Sequence, residues 1–175
     1  MIKHISLSAA AMLVLSASAL CANASYPDLS LTPGKARSDI TVEQLCSTNW
    51  SAKDHPVSAA MRRDVFAAYH LTGNNDPVCH SHDSKKCKID RLIASKLGGA
   101  DVEVNLWPQP EAGTWGAPAK SKLEDCMHAR VCKKLADQGA DAATQLLRLY
   151  QHDLVADWIA AYHNVIGERA ATCGG

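Results

Sequence analysis

The chain has 175 residues, of which 47% are hydrophobic, and its 18 basic and 18 acidic residues give a formal net charge of zero. This balance excludes the strongly basic composition of a dedicated nucleic-acid-binding domain. The sequence contains no G-x-x-x-x-G-K, G-x-S-x-G or H-E-x-x-H motif, which sets aside the enzyme classes that those motifs mark.

The first predicted element is an export leader over residues 1–24. It combines a basic start, an apolar run and an A-x-A cleavage site: Lys3, Leu7 to Leu20 and Ala22-Asn23-Ala24. The run of about 14 residues is too short to cross roughly 30 Å of hydrocarbon. We therefore expect a mature chain that begins near Ser25, does not stay inserted in a membrane, and is periplasmic or secreted. A lipoprotein signal at Cys21 is the alternative, which the bulky residue before it disfavours.

The amino-terminal part of the mature chain is predicted to be mainly helical. Residues 26–38 contain Pro, Gly and Ser without periodicity, so we expect an extended lead-in. Residues 40–45 predict a short helix, and residues 56–69 predict a longer one with Ser58 as its N-cap. The apolar stripe expected on the second helix is Met61, Val65, Ala68 and Tyr69. Gly73 is expected to end it.

The middle of the chain predicts two short strands. After a polar loop over 74–86, Cys87–Ile93 alternates apolar and polar residues, and Gly98-Gly99 marks a turn. Val102–Leu106 predicts a second extended segment, which the prolines at 108 and 110 are expected to end.

The carboxy-terminal part predicts two helices. Pro118 suits the first turn of a helix that runs to about Leu135. A second helical pattern starts at Asp141 and ends at Gly167. Its apolar repeat is Leu147, Tyr150, Leu154, Trp158 and Ala161. The predicted fold class is therefore α+β and mostly helical, with one strand–loop–strand–helix unit packed with additional helices.

Six cysteines remain once the leader is removed: Cys46, Cys79, Cys87, Cys126, Cys132 and Cys173. An even number in an exported chain indicates three disulfides. We favour the pairs Cys46–Cys132, Cys79–Cys87 and Cys126–Cys173, although six cysteines allow 15 connectivities. A thiolate metal site is the competing interpretation, which the lack of a C-x-x-C motif disfavours.

Two segments of the middle unit are distinctive: Ile89-Asp-Arg-Leu-Ile-Ala-Ser-Lys-Leu-Gly-Gly-Ala100 and Asn105-Leu-Trp-Pro-Gln-Pro110. Together they resemble the core of exported HNH-endonuclease-like proteins of the ββα-metal class. In that family Asp-His-Leu-Ile-Pro ends the first strand, a Gly-Gly loop follows, and Asn-Leu-Trp-Pro leads towards the helix. The resemblance extends over most of the mature chain. It implies one HNH-like domain over 25–175, with a ββα core at about 86–135 and a helical part at about 140–167.

The resemblance implies an endonuclease that hydrolyses phosphodiester bonds with Mg²⁺, Mn²⁺ or Zn²⁺, in which a neutral histidine takes a proton from the attacking water. The residues expected at the metal are Asp90, which corresponds to the family's metal-binding Asp, and Asn105, which corresponds to its loop-fixing Asn. The histidine position holds Arg91, which has no acceptor and stays protonated. Arg91 therefore suits a phosphate clamp better than a base. Gly116 and Ser121 stand where the family's helix has an Asn and an Asp.

Histidines close to the motif are candidates for the missing base. His80 and His82 lie in the loop that a Cys79–Cys87 bridge would fold back towards Asp90, so either is a candidate general base or metal ligand. His128 is a further candidate, although its place beside Cys126 and Cys132 favours packing.

A basic segment around the motif is the candidate substrate-binding surface. The residues expected to contact DNA or RNA phosphates are Lys88, Arg91, Lys96 and Lys120. A solvated charged surface is an equally good interpretation. Three functions stay open: a weakened HNH-type endonuclease, a catalytically inactive nucleic-acid- or phosphate-binding module, and a disulfide-stabilised envelope scaffold with a protein partner.

Overall fold

A computed structural model describes residues 25–47, 57–71, 79, 86–167 and 173. The helices and strands of this part are α1 (Val42–Leu45), α2 (Ala59–Ala68), β1 (Cys87–Arg91), β2 (Leu106–Pro110), α3 (Ala117–Gln138) and α4 (Ala140–Ile166). Two 3-10 turns, Ser95–Leu97 and Glu103–Asn105, lie between the strands. The predicted α+β, mostly helical class is confirmed. The predicted leader over 1–24 lies outside the described residues.

The first two helices begin at side-chain caps. At α1 the Thr41 hydroxyl accepts from the Gln44 amide and the Gln44 side chain accepts from the Thr41 amide, so the helix begins later than predicted. Ser58 caps α2 as predicted, accepting from the Met61 amide. The expected burial of Ala68 is wrong, because Phe66 is buried on α2 instead and Ala68 is exposed.

The two carboxy-terminal helices pack against each other, and their predicted boundaries are nearly intact. Pro118 lies in the first turn of α3, and Gly139, at φ 83°, separates α3 from α4. All five residues of the predicted apolar repeat on α4 are buried, and Gly167 follows the end of that helix. A kink occurs at Asp157, whose carboxylate accepts from the amides of Ile159 and Ala160 at 3.0 and 2.9 Å. These two bonds cap the amino-terminal end of the helical segment that follows the kink.

The two strands pair antiparallel, with Asp90 opposite Trp107 and Arg91 opposite Leu106. The prediction for the second strand is wrong: Glu103–Asn105 is a 3-10 turn, and β2 runs through both prolines. The carbonyl of Asn105 and the amide of Glu111 bond towards β1. Because bonding direction alternates along a strand, Pro108 and Pro110 direct their nitrogens away from β1. Proline is tolerated in an edge strand where its nitrogen faces away from the neighbouring strand.

The sheet separates a small apolar cluster from the main core. Ile89 and Leu106 pack on one face against Val65 and Phe66 of α2. The main core lies among α1, α3 and α4 and includes Leu123, Leu154 and Trp158. Since alternate strand residues point to opposite faces, Asp90 points away from α2, and it contacts Lys120 of α3. This geometry places a carboxylate between the sheet and the main core.

All three favoured disulfides are confirmed: Cys46–Cys132, Cys79–Cys87 and Cys126–Cys173, with Cα–Cα distances of 5.4, 5.2 and 4.5 Å. The first ties α1 to α3, and the second ties the segment before β1 to the start of β1. Such bonds are compatible with an oxidising, extracytoplasmic compartment.

Candidate functional site

A fully buried lysine lies at the centre of the corner formed by β1 and α3. The Lys120 ammonium donates to the Asp90 carboxylate at 2.9 Å, to the Arg91 carbonyl at 2.6 Å and to the Glu124 carboxylate. The Lys120 side chain is 0% exposed, and those of Asp90 and Glu124 are 16% and 8% exposed. Three oxygens therefore surround one cationic nitrogen. We call the side chains of Lys120, Asp90 and Glu124 the lysine cluster.

The lysine cluster changes the ionisation of its members. Burial alone would raise the pKa of Asp90, but the ammonium groups of Lys120 and Lys88 outweigh it and hold that pKa below its ordinary value. Burial would lower the pKa of Lys120, and the two carboxylates raise it instead. Burial raises the pKa of Glu124 to about 7, even though Lys120 opposes the rise. The cluster thus holds one firmly ionised pair and one carboxyl that titrates near neutrality.

Arg91 points away from the lysine cluster and has a carboxylate partner of its own. Its guanidinium Nε donates to Asp101 at 2.6 Å, and both side chains are about one-fifth exposed. Adjacent residues on a strand project to opposite faces, so Asp90 and Arg91 lie on opposite faces of the sheet and contact different residues. The structure does not bring Arg91 and Asp90 together as one catalytic pair.

The other predicted phosphate contacts are also paired with acids. Lys88 lies 3.4 Å from Asp90, and Lys96 forms an ion pair with Asp125. Each of the four cations predicted to contact phosphate therefore has a carboxylate neighbour, and the burial of Lys120 opposes a role at the surface. Two of these cations, Lys88 and Lys120, share the carboxylate of Asp90.

Asn105 fixes the long loop between the strands. Its amide oxygen accepts from the backbone nitrogens of Ile93 and Lys35 at 3.0 and 3.2 Å. Its amide nitrogen donates to the carbonyls of Ile93 and Ala100 at 3.0 and 2.9 Å. All four bonds go to backbone groups, so the Asn105 side chain holds the path of the loop. The side chain is completely buried.

The Gly-Gly turn in this loop is required by close packing. Gly98 has a φ of 78°, a conformation that favours glycine. At Gly99 a Cβ atom would lie 1.7 Å from the Ile93 carbonyl oxygen. No side chain fits there, so the turn serves the backbone geometry that Asn105 holds.

The residues predicted to hold a divalent metal do not fit one as they stand. The Asp90 carboxylate faces two ammonium groups, and the oxygen of Asn105 already accepts two backbone bonds. A cation at Asp90 would have to displace the Lys120 ammonium, which already supplies a positive charge there. The predicted ligands His80 and His82 lie outside the described residues.

A different set of potential metal ligands converges elsewhere. Among the described residues, the potential ligand atoms of Cys46, His128 and Cys132 lie within 4.8 Å of one another. His128 Nε2 lies 3.0 Å from the Leu45 carbonyl and 3.5 Å from Cys132 Sγ. This group could hold a metal ion, although its two sulfurs are joined to each other.

Two acids at the corner were missed by the sequence prediction. Glu124 stands four residues after Lys120, and opposite charges at this spacing on a helix meet. That spacing was a usable signal. Asp101 follows the Gly-Gly turn, and no sequence pattern links it to Arg91.

None of the described helices has the length and apolar composition to cross a membrane. Comparisons with protein-family models, curated proteins and solved structures gave no match to this chain.

Proposed function

We propose that this protein is an exported, non-catalytic relative of HNH endonucleases that acts by binding a protein partner. The observation that carries the proposal is the lysine cluster, in which a buried ammonium lies among the oxygens of Asp90, Glu124 and the Arg91 carbonyl. A fixed positive charge replaces the one a divalent cation would bring. A lysine ammonium does not coordinate a water molecule and lower its pKa as a metal ion does, so the nucleophile of metal-assisted hydrolysis is lost.

Charge pairing favours a protein partner over a nucleic acid. Nucleic-acid affinity depends on cations that can replace counterions along phosphates, and the candidate cations already face carboxylates. The apolar side chains that line one surface cavity support protein contact instead. Val102 and Val104 are 41% and 45% exposed, and Val104 borders a cavity lined also by Leu31, Val65 and Tyr69.

The catalytic part of the proposal is tested with oxidised protein, plasmid DNA and RNA in Mg²⁺, Mn²⁺ or Zn²⁺. We expect no cleavage by the wild type or by Arg91→His, because Lys120 stays in the corner of both. Asp90→Ala and Asp137→Ala, the latter on the exposed surface of α3, serve as matched controls. Cleavage by the wild type that is lost in Asp90→Ala but not in Asp137→Ala would overturn the proposal.

The binding part is tested with a photo-crosslinking amino acid at position 104, in cell-envelope extract. We expect a crosslinked product that is absent when the same group is placed at Leu149, which is exposed on α4. A mobility shift with DNA or RNA that weakens steeply with salt would contradict the choice of partner.

One observation favours a hydrolase as the second candidate. A general base works best when its pKa lies near the operating pH, and Glu124 has a pKa of about 7. In that case hydrolysis of DNA or RNA would rise with pH through about 7, and Glu124→Gln would abolish it.

A further inference from the structure

Cys46, His128 and Cys132 lie together for reasons that do not depend on the bond between the sulfurs. His128 and Cys132 are four residues apart on α3, so they occupy the same face of the helix. Cys46 directly follows α1, whose Val42 and Leu45 belong to the main core. The apolar packing of α1 against α3 therefore holds the three side chains in place.

The three groups form a ligand set suited to a thiophilic cation. Two thiolates and one imidazole, with a fourth position open, match the donors that Zn²⁺ takes in proteins. Ligand atoms in a tetrahedral zinc site are about 3.5 to 3.8 Å apart. His128 Nε2 already lies 3.5 Å from Cys132 Sγ, whereas the two sulfurs are bonded to each other in the disulfide and would have to separate after reduction. All three residues are partly buried.

We propose that reduction of the Cys46–Cys132 disulfide converts this position into a Zn²⁺ site formed by Cys46, His128 and Cys132. A dithiol reductant delivers two electrons and two protons to the disulfide and is itself oxidised to a disulfide. Zn²⁺ then displaces the two thiol protons and takes the lone pair of His128 Nε2. The ring proton of His128 moves to Nδ1, and the bond to the Leu45 carbonyl is given up.

The oxidised and metal-bound states exclude each other, because each uses both sulfurs. The disulfide keeps Zn²⁺ out, and bound Zn²⁺ keeps the sulfurs from rejoining. This site is separate from the lysine cluster and does not rest on the proposed function. It gives the chain a means of holding zinc that responds to the redox state of its surroundings.

The test uses the full chain reduced anaerobically with a phosphine, with Zn²⁺ as the probe in competition with a chromophoric chelator. We expect one Zn²⁺ per chain, and protection of Cys46 and Cys132 from alkylation, read by mass spectrometry. The oxidised protein should bind none at that site. His128→Ala keeps all the cysteines and should weaken Zn²⁺ binding by at least about tenfold, whereas His152→Ala, exposed on α4, should not change it.

Equal affinity in His128→Ala and the wild type would overturn the proposal. So would protection of the other four cysteines in place of Cys46 and Cys132, or equal binding by oxidised protein. Reduction could instead unfold the chain, and circular dichroism with and without Zn²⁺ detects this. A reduced chain that is unfolded and that Zn²⁺ does not refold would also contradict the proposal.

Discussion

Lys120 is the residue on which the corner between β1 and α3 depends. Its ammonium is fully buried, and it bonds two carboxylates and a backbone carbonyl. A buried ion pair contributes little net stability compared with an apolar replacement of the whole group. Removing one member, however, leaves the others buried without a counterion.

Lys120→Met should therefore destabilise the protein strongly. We expect the free energy of unfolding to fall by about 3–5 kcal/mol at pH 8, measured by urea denaturation. Lys122→Met is the matched control, since Lys122 is exposed on the same helix and should change stability by less than about 0.5 kcal/mol. Similar small effects from both substitutions would contradict the importance of the cluster.

Glu124 should make stability depend on pH near neutrality. Its pKa is raised from 4.5 to about 7 in the folded protein, so the folded state holds a proton that the unfolded state releases. The free energy of unfolding should fall as pH rises from about 5 to about 7.5, by roughly 1–3 kcal/mol. Lys120, Asp90 and Lys96 are the charged groups that act on it.

Urea unfolding of Glu124→Gln at the same pH values isolates this contribution. The two proteins differ only at this carboxyl, so the difference in slope belongs to Glu124. Identical pH profiles for variant and wild type would show that the carboxyl ionises at its ordinary pKa.

At the scale of elements, the loop between β1 and β2 depends on backbone packing that tolerates no side chain at one position. Gly99→Ala should lower the free energy of unfolding by more than about 3 kcal/mol, because the new Cβ would meet the Ile93 carbonyl oxygen. At Gly113, which has a positive φ and open space around it, alanine should cost only about 1–2 kcal/mol. Thermal or urea denaturation checks both. Equal costs would mean that the loop relaxes around the new methyl group.

Local sequence signals predicted most of the helices correctly, whereas the prediction for the second strand was wrong. Ser58, Pro118 and Gly167 mark helix ends through chemistry that involves only neighbouring residues. Proline is a local signal as well, and it misled the prediction for β2. Whether a proline is tolerated depends on which side of the strand its nitrogen faces, and only the register against β1 decides that.

The candidate site was predictable in composition and not in arrangement. Asp90 and Lys120 were both identified from sequence, but their contact spans 30 residues and depends on how α3 packs against β1. The spacing of Lys120 and Glu124 is local and predicts their contact, whereas the pairing of Arg91 with Asp101 depends on the path of the loop.

At the scale of the whole molecule, three disulfides of unequal span connect its parts. Cys46–Cys132 joins residues 86 apart in sequence, whereas Cys79–Cys87 joins residues 8 apart. In the chain-entropy model the longer loop restricts the unfolded chain more, by about 4.6 against about 2.5 kcal/mol.

Replacing both cysteines of a pair by serine tests this difference. Cys46→Ser with Cys132→Ser should cost about 2 kcal/mol more than Cys79→Ser with Cys87→Ser, measured by urea denaturation without reductant. A larger cost for the short pair would show that local strain or packing, and not loop span, sets the contribution.

The prolines of β2 have a consequence for self-association. An unpaired strand edge attracts other chains because it offers alternating N–H donors and carbonyl acceptors. On the outer side of β2 the positions are Leu106, Pro108 and Pro110, and two of these three have no N–H. The Leu106 carbonyl is already bonded by the Thr32 hydroxyl. All five residues of β2 are also buried, so this edge offers another strand few donors and little access.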